Sequence, residues 1–134
     1  MTVLTFLPIL VAGFVSAVIG FVWYHPSVFG SAWMRLSGIT PETVEVGKKR
    51  MPAMALLALL ASVLAAYVIN RLVIALVIYD VVGAVKLSFS LWAGFVAPAL
   101  LGIILWEQKP VALYLINSLY WLVALVAMSL VLVF

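Results

Sequence analysis

Two side chains of this sequence could pass a proton between them. His25 is the single histidine, and an imidazole changes charge near neutral pH more readily than other side chains. Glu107 is the one carboxylate placed at a helix end on the same face as His25. A His–Glu pair there would suit an enzyme working on a lipid or a quinone at the membrane surface. Asn117 is the most polar side chain inside any long apolar run, with Tyr120 one helical turn onward; an amide and a phenol could line the path of a small oligomeric transporter or channel. Each also has a plainer role. A lone histidine beside Trp23 and Tyr24 is an interfacial anchor, and an asparagine in a span bonds a neighbouring helix.

Most other chemistry is excluded. There is no cysteine, hence no thiolate, disulfide or cysteine metal site. One histidine cannot assemble the three or four ligands of a metal centre, so no metal is expected. Neither a nucleophile triad nor a glycine-rich phosphate loop can be drawn, no paired histidines could hold haem, and no cofactor is expected.

The elements that position these residues follow from composition. Hydrophobic residues make up 69% of the 134 residues and charged residues 8%, whereas a soluble domain carries roughly a quarter charged. So few charges cannot clothe a water-facing surface. The apolar side chains must face lipid, and the bilayer is the first partner. The net charge of +3 sits beside apolar runs, where cations meet headgroups, and gives no sign of nucleic-acid binding.

About 20 apolar residues cross the hydrocarbon layer as a helix. Runs at 3–24, 52–70, 87–106 and 111–133 meet that length with every charged residue outside them. Four spans in one antiparallel bundle follow, an all-α membrane protein of a single domain over 1–134. Residues 1–24 lack the basic start of a signal peptide and are read as a retained span. Segment 72–82 leaves two courses open: it extends helix two past Arg71, or it lies in the interface. Lys and Arg counts place the connections 25–51 and 107–110 in the cytoplasm and both termini outside, in a plasma (inner) membrane.

Small residues let helices approach in lipid, where greasiness alone does not pair them. The first helix presents Gly13, Ser16, Ala17 and Gly20 on one face, the second Ala58, Ala61, Ser62 and Ala65, the third Ser90, Gly94 and Ala97 ahead of a kink at Pro98. At the first boundary Pro26 ends the span at His25. Phe29, Trp33 and Leu36 then recur on one side of a short amphipathic helix lying on the membrane surface, capped by Ser31 and ended by Gly38. Thr40 caps a following helix that feeds into helix two.

The stretch W-Y-x-P-x-x-F-G-x-x-W-M (Trp23, Tyr24, Pro26, Phe29, Gly30, Trp33, Met34), with W-x-G-F (Trp92, Gly94, Phe95) and I-N-x-x-Y (Ile116, Asn117, Tyr120), resembles the family known as domain of unknown function 1761. The resemblance spans roughly residues 5–130. It implies a small, mostly bacterial, four-span membrane protein, assigns no catalytic residue, and places Asn117, Tyr120, Trp23 and Trp33 together on one face near the cytoplasmic end. An abundance of packing residues and a poverty of reactive ones favours a structural or accessory subunit, working as a homodimer or within a larger membrane complex.

Overall fold

A computed structural model describes residues 3–134. Four helices in it are long and apolar enough to cross a membrane, and they form an all-α antiparallel bundle. The first span is α1 (Val3–Trp23). A single wide π turn, Pro26–Gly30, leads into the short α2 (Ser31–Ser37), and α3 (Pro41–Gly47) follows. A 3-10 turn at Lys48–Arg50 delivers the chain into α4 (Met51–Ala75), the second span. The third span is broken: α5 (Val81–Leu91), a π turn at Trp92–Val96, then α6 (Ala97–Leu100) and α7 (Gly102–Leu105). The fourth is α8 (Val111–Val133).

Local chemistry explains the boundaries. His25 has extended backbone, and its Nδ1 accepts the Ser27 N–H at 3.1 Å; with Pro26 preset for a first helical position, helical winding starts there. Ser31, expected as the cap of the surface helix, lies inside continuous helical backbone. Its hydroxyl donates instead to Pro26 O at 2.9 Å, because the π turn has already begun the winding upstream. Gly38 ends α2 at φ +76°, a left-handed position that suits glycine. Thr40 caps α3 by accepting the Thr43 N–H at 3.3 Å.

Of the two courses open for 72–82, helix two does continue past Arg71, but only to Ala75. Asp80 then accepts the Gly83 N–H at 2.9 Å and starts α5. The two tight turns, after α4 and before α8, each hold a non-glycine residue in the left-handed region, Val77 at φ 55° and Gln108 at φ 54°. For the β-branched Val77 that conformation costs about 1–2 kcal/mol.

Helix α8 is the axis of the bundle. It packs on α1, α4 and α5, while α1 and α4 also pack on each other and the third span rests chiefly on α8. The core holds Ile9 and Ala12 of α1, Ala66 and Ile69 of α4, and Ala124 and Met128 of α8. Helix α1 comes close against α4 at Gly13. A Cβ added at Gly13 would stand 2.6 Å from Val63 Cγ2 and 2.9 Å from Val63 Cα, so no larger residue fits without parting the helices. The outer faces stay apolar and exposed, as with Phe14, Leu57 and Leu64, which suits acyl chains as the surrounding solvent.

The third span turns differently from the small-residue stripe. Ser90 is exposed and donates to its own helix at Lys86 O (2.8 Å), and a Cβ on Gly94 would meet nothing within 4 Å. Ala84 and Ser88 are buried instead, with Ser88 Oγ 2.8 Å from Ser129 Oγ and 3.1 Å from Leu125 O of α8. Smallness marks an interface only where a neighbour comes close. This span has one main neighbour, and its polar groups decide which side faces it.

Replacing Gly13 with leucine should separate α1 from α4. Overpacking of this kind costs roughly 1–3 kcal/mol, read as a lowered thermal midpoint in detergent. A Gly94→Leu control should leave that midpoint unchanged.

Candidate functional site

Trp23, Tyr24, Asn117 and Tyr120, among the residues singled out by sequence, gather where α1 ends against the first turns of α8. Trp23 closes α1, and its indole N–H donates to Ile116 O at 3.0 Å. The Tyr24 hydroxyl, one residue on, donates to Asn117 Oδ1 at 2.8 Å. From the opposite side of α8, Trp92 begins the π turn of the third span and donates through its indole N–H to Ser118 O at 2.7 Å. Three consecutive residues, Ile116, Asn117 and Ser118, thus accept hydrogen bonds from three aromatic donors on two other spans. A helical carbonyl carries two lone pairs, so Ile116 and Ser118 can accept an indole without giving up the α8 ladder.

Tyr120 completes this aromatic clasp. Its hydroxyl donates to Ser16 O at 3.0 Å and lies 3.4 Å from Ser16 Oγ. Gly20 leaves room for it: a Cβ there would stand 3.2 Å from the Tyr120 hydroxyl oxygen. Tyr120 rests against Tyr24 (ring centres 5.6 Å) and Trp121 (5.3 Å). Surface helix α2 lowers Trp33 edge-on to Tyr24 at 5.5 Å, and Phe29 lies against Trp23 at 4.6 Å. The nearby turn is tied down too, as Lys109 Nζ donates to Ser37 O at 3.4 Å, a cation at the negative end of α2.

The two π turns aim these donors. Gly30 is buried against the end of α1, and a Cβ on it would collide with the Tyr24 carbonyl oxygen. The Pro26–Gly30 turn can fold back under Trp23 and Tyr24 only with glycine there. In the third span Pro98 has no N–H and crowds the carbonyl four residues back. The π turn relieves this, with Ala97 N–H donating to Trp92 O. Leu101 N–H donates to Pro98 O, while the Tyr114 hydroxyl of α8 donates to Ala97 O at 2.9 Å. A proline break and an aromatic fastening on α8 occur together.

The remaining candidates lie apart. His25 and Glu107 are exposed and share neither an ion pair nor a hydrogen bond among the described residues; the imidazole is engaged as a cap. Ala17 is half-buried beside the tightly packed Gly13 face. No group of three or more metal-ligating side chains occurs among the described residues. Ser118 Oγ is fully buried without a hydrogen-bond partner, although a helical serine can turn toward the carbonyl four residues back. Residue types had already pointed to Trp23, Tyr24, Asn117 and Tyr120. Trp92, Tyr114 and Ser88 join the site beyond the candidates that the sequence suggests; their signal is that each carries a donor in hydrocarbon that must find an acceptor.

If Tyr24 and Asn117 fasten α1 to α8, Tyr24→Phe and Asn117→Leu should each destabilise the protein in detergent, and the double variant should lose less than the two effects added. Interhelical bonds in membranes couple by ~0.6 kcal/mol on average and reach ~1.7. A thermodynamic cycle by unfolding in detergent measures the coupling.

Among known families, the model described as "Protein of unknown function (DUF1761)" matches residues 7–133. No curated protein and no solved structure matches the chain.

Proposed function

The chain belongs to the DUF1761 family, and on that premise we propose that it is a structural or accessory subunit of a membrane assembly, without chemistry of its own. One observation carries this reading. The polar groups of the motif residues bond to one another and to helix backbone, so they fasten spans together: Trp23 to Ile116, Tyr24 to Asn117, Trp92 to Ser118 and Tyr120 to Ser16. A transport path or a catalytic centre would use such groups on solute or substrate.

The reading extends to setting and partners. The excess of Lys and Arg in connections 25–51 and 107–110 supports a cytoplasmic position for both, with the termini outside, in a bacterial plasma (inner) membrane. The third span, resting chiefly on α8, has an open side on which Phe95 is 73% exposed. Phe95, Val96, Ala99 and Leu100 with Trp121 of α8 line a shallow apolar groove there. Shape packing drives association in lipid, and a second copy of the chain is the partner assigned to that groove, giving a homodimer.

Because the chain has no cysteine, Phe95→Cys creates a unique crosslinking site. In vesicles at high lipid dilution this variant should form disulfide-linked dimers under mild oxidation, while Leu57→Cys, on the outer face of α4, should not. Native mass measurement from lipid discs showing only monomers without other subunits, together with no crosslink at Phe95→Cys, would contradict the proposal.

A further inference from the structure

The charges flanking the second and third spans are equally spaced. Residues 51–70 of α4 separate Arg50 from Arg71, and residues 87–106 separate Lys86 from Glu107. Each interval is 20 uncharged residues, ~30 Å of helix at ~1.5 Å per residue, which is the thickness of the hydrocarbon layer. Arg71 and Lys86 therefore mark one edge of that layer, on the side opposite the clasp. Beyond them the chain continues for the last turn of α4, the tight turn and the first turn of α5. The tip thus stands about 8 Å past the two cations.

That tip is apolar where an aqueous turn would be polar. Leu76, Val77 and Tyr79 are exposed to 59%, 63% and 77%. Its single charge, Asp80, is engaged as the cap of α5 through the Gly83 N–H. Val77 holds its left-handed backbone although glycine would hold it without strain. Arg71 and Lys86 are exposed, and the one ion pair among the described residues joins Lys48 to Glu45 elsewhere. Two cations without acidic partners below, and an apolar cap above, match a lipid leaflet edge: phosphates at the cations, then a headgroup layer roughly 5–8 Å deep.

We infer that the α4–α5 tip is a wedge seated in the headgroup layer, with Leu76, Val77 and Tyr79 buried among headgroups and upper acyl carbons and Arg71 and Lys86 bound to the phosphates of anionic phospholipid. The occupant is lipid, not a protein partner. Chemistry favours it: the tip's height equals the layer's depth, the phenol of Tyr79 suits a medium wet at one end and oily at the other, and the cations complement phosphate. The inference rests on the four spans crossing a bilayer and is independent of the role given to the clasp or of dimer formation.

The absence of cysteine makes the test direct. Val77→Cys is labelled with an environment-sensitive fluorophore in the full-length protein, reconstituted in vesicles of phosphatidylcholine with or without phosphatidylglycerol. Glu45→Cys serves as the aqueous reference and Leu60→Cys as the hydrocarbon reference. The wedge predicts quenching at Val77→Cys by lipids carrying a nitroxide near the headgroup, weaker quenching by a nitroxide deep in the chain, and several-fold less quenching by aqueous iodide than at Glu45→Cys. Phosphatidylglycerol should deepen the probe, and Arg71→Gln with Lys86→Gln should abolish that dependence while the clasp at the other end stays folded. Iodide quenching equal to that at Glu45→Cys overturns the inference by placing the tip in water. Protection from both iodide and nitroxide lipids overturns it by placing the tip under protein. Unchanged lipid dependence in the double variant overturns the phosphate contact.

Discussion

Hydrocarbon offers nothing to a hydrogen-bond donor, and that deficit organises the centre of this protein. An orphaned polar group in the bilayer costs several kcal/mol, whereas a completed interhelical bond returns only about 0.6–2 kcal/mol. The asymmetry means that donors on the spans dictate which faces meet. Trp23 and Tyr24 turn the end of α1 onto α8, Trp92 and Ser88 turn the third span onto it, and Tyr120 reaches back to Ser16. Four helices could bury their small residues in several arrangements. Helix α8 holds α1 and the third span by exchanging hydrogen bonds with them, while α4 joins through close packing such as that of Val63 on Gly13.

Local breaks in helical winding supply the aim. Each π turn adjoins a donating tryptophan: Trp23 stands just before Pro26–Gly30, and Trp92 opens Trp92–Val96. Such turns cluster at functional places in helices, and here they direct an indole sideways into another helix. Gly30 has a definite reason to be glycine, since a side chain would strike the Tyr24 carbonyl. The three fragments by which the chain resembles its family thus lie together: the end of α1 with its following π turn, the π turn opened by Trp92, and the α8 segment that accepts their hydrogen bonds.

Much of the architecture was legible because charge and length act one residue at a time. Lys and Arg at 48–50, 71 and 86 bracket the apolar runs, and the spanning helices cover those runs, with α4 passing Arg71 to Ala75 and α5 starting at Val81 ahead of Lys86. The face each helix presents was less legible, because a face is chosen by pairs. Gly94 and Ser90 read as a packing stripe, but the acceptors that settle the rotation of the third span, Ser118 O and Leu125 O, are backbone atoms with no residue-type signature. Trp23 and Tyr24 read as belt residues from their position alone. Their bonds to α8 became visible only once α8 stood beside them. His25 reads from the following Pro26 only as the end of the first span; the same proline also suits a first helical position, so the cap expected at Ser31 falls on His25.

The motif's polar groups fasten spans to one another, and the proposed role as a structural subunit rests on that fastening. The claim turns on whether the buried indoles are bonded as described. With five tryptophans in the chain, indole N–H exchange followed by nitrogen-edited NMR in lipid discs separates them. The account predicts that the Trp23 and Trp92 indole protons exchange far more slowly than that of Trp106, which is 84% exposed in the turn before α8. Exchange of Trp23 and Trp92 at the rate of Trp106 would contradict it.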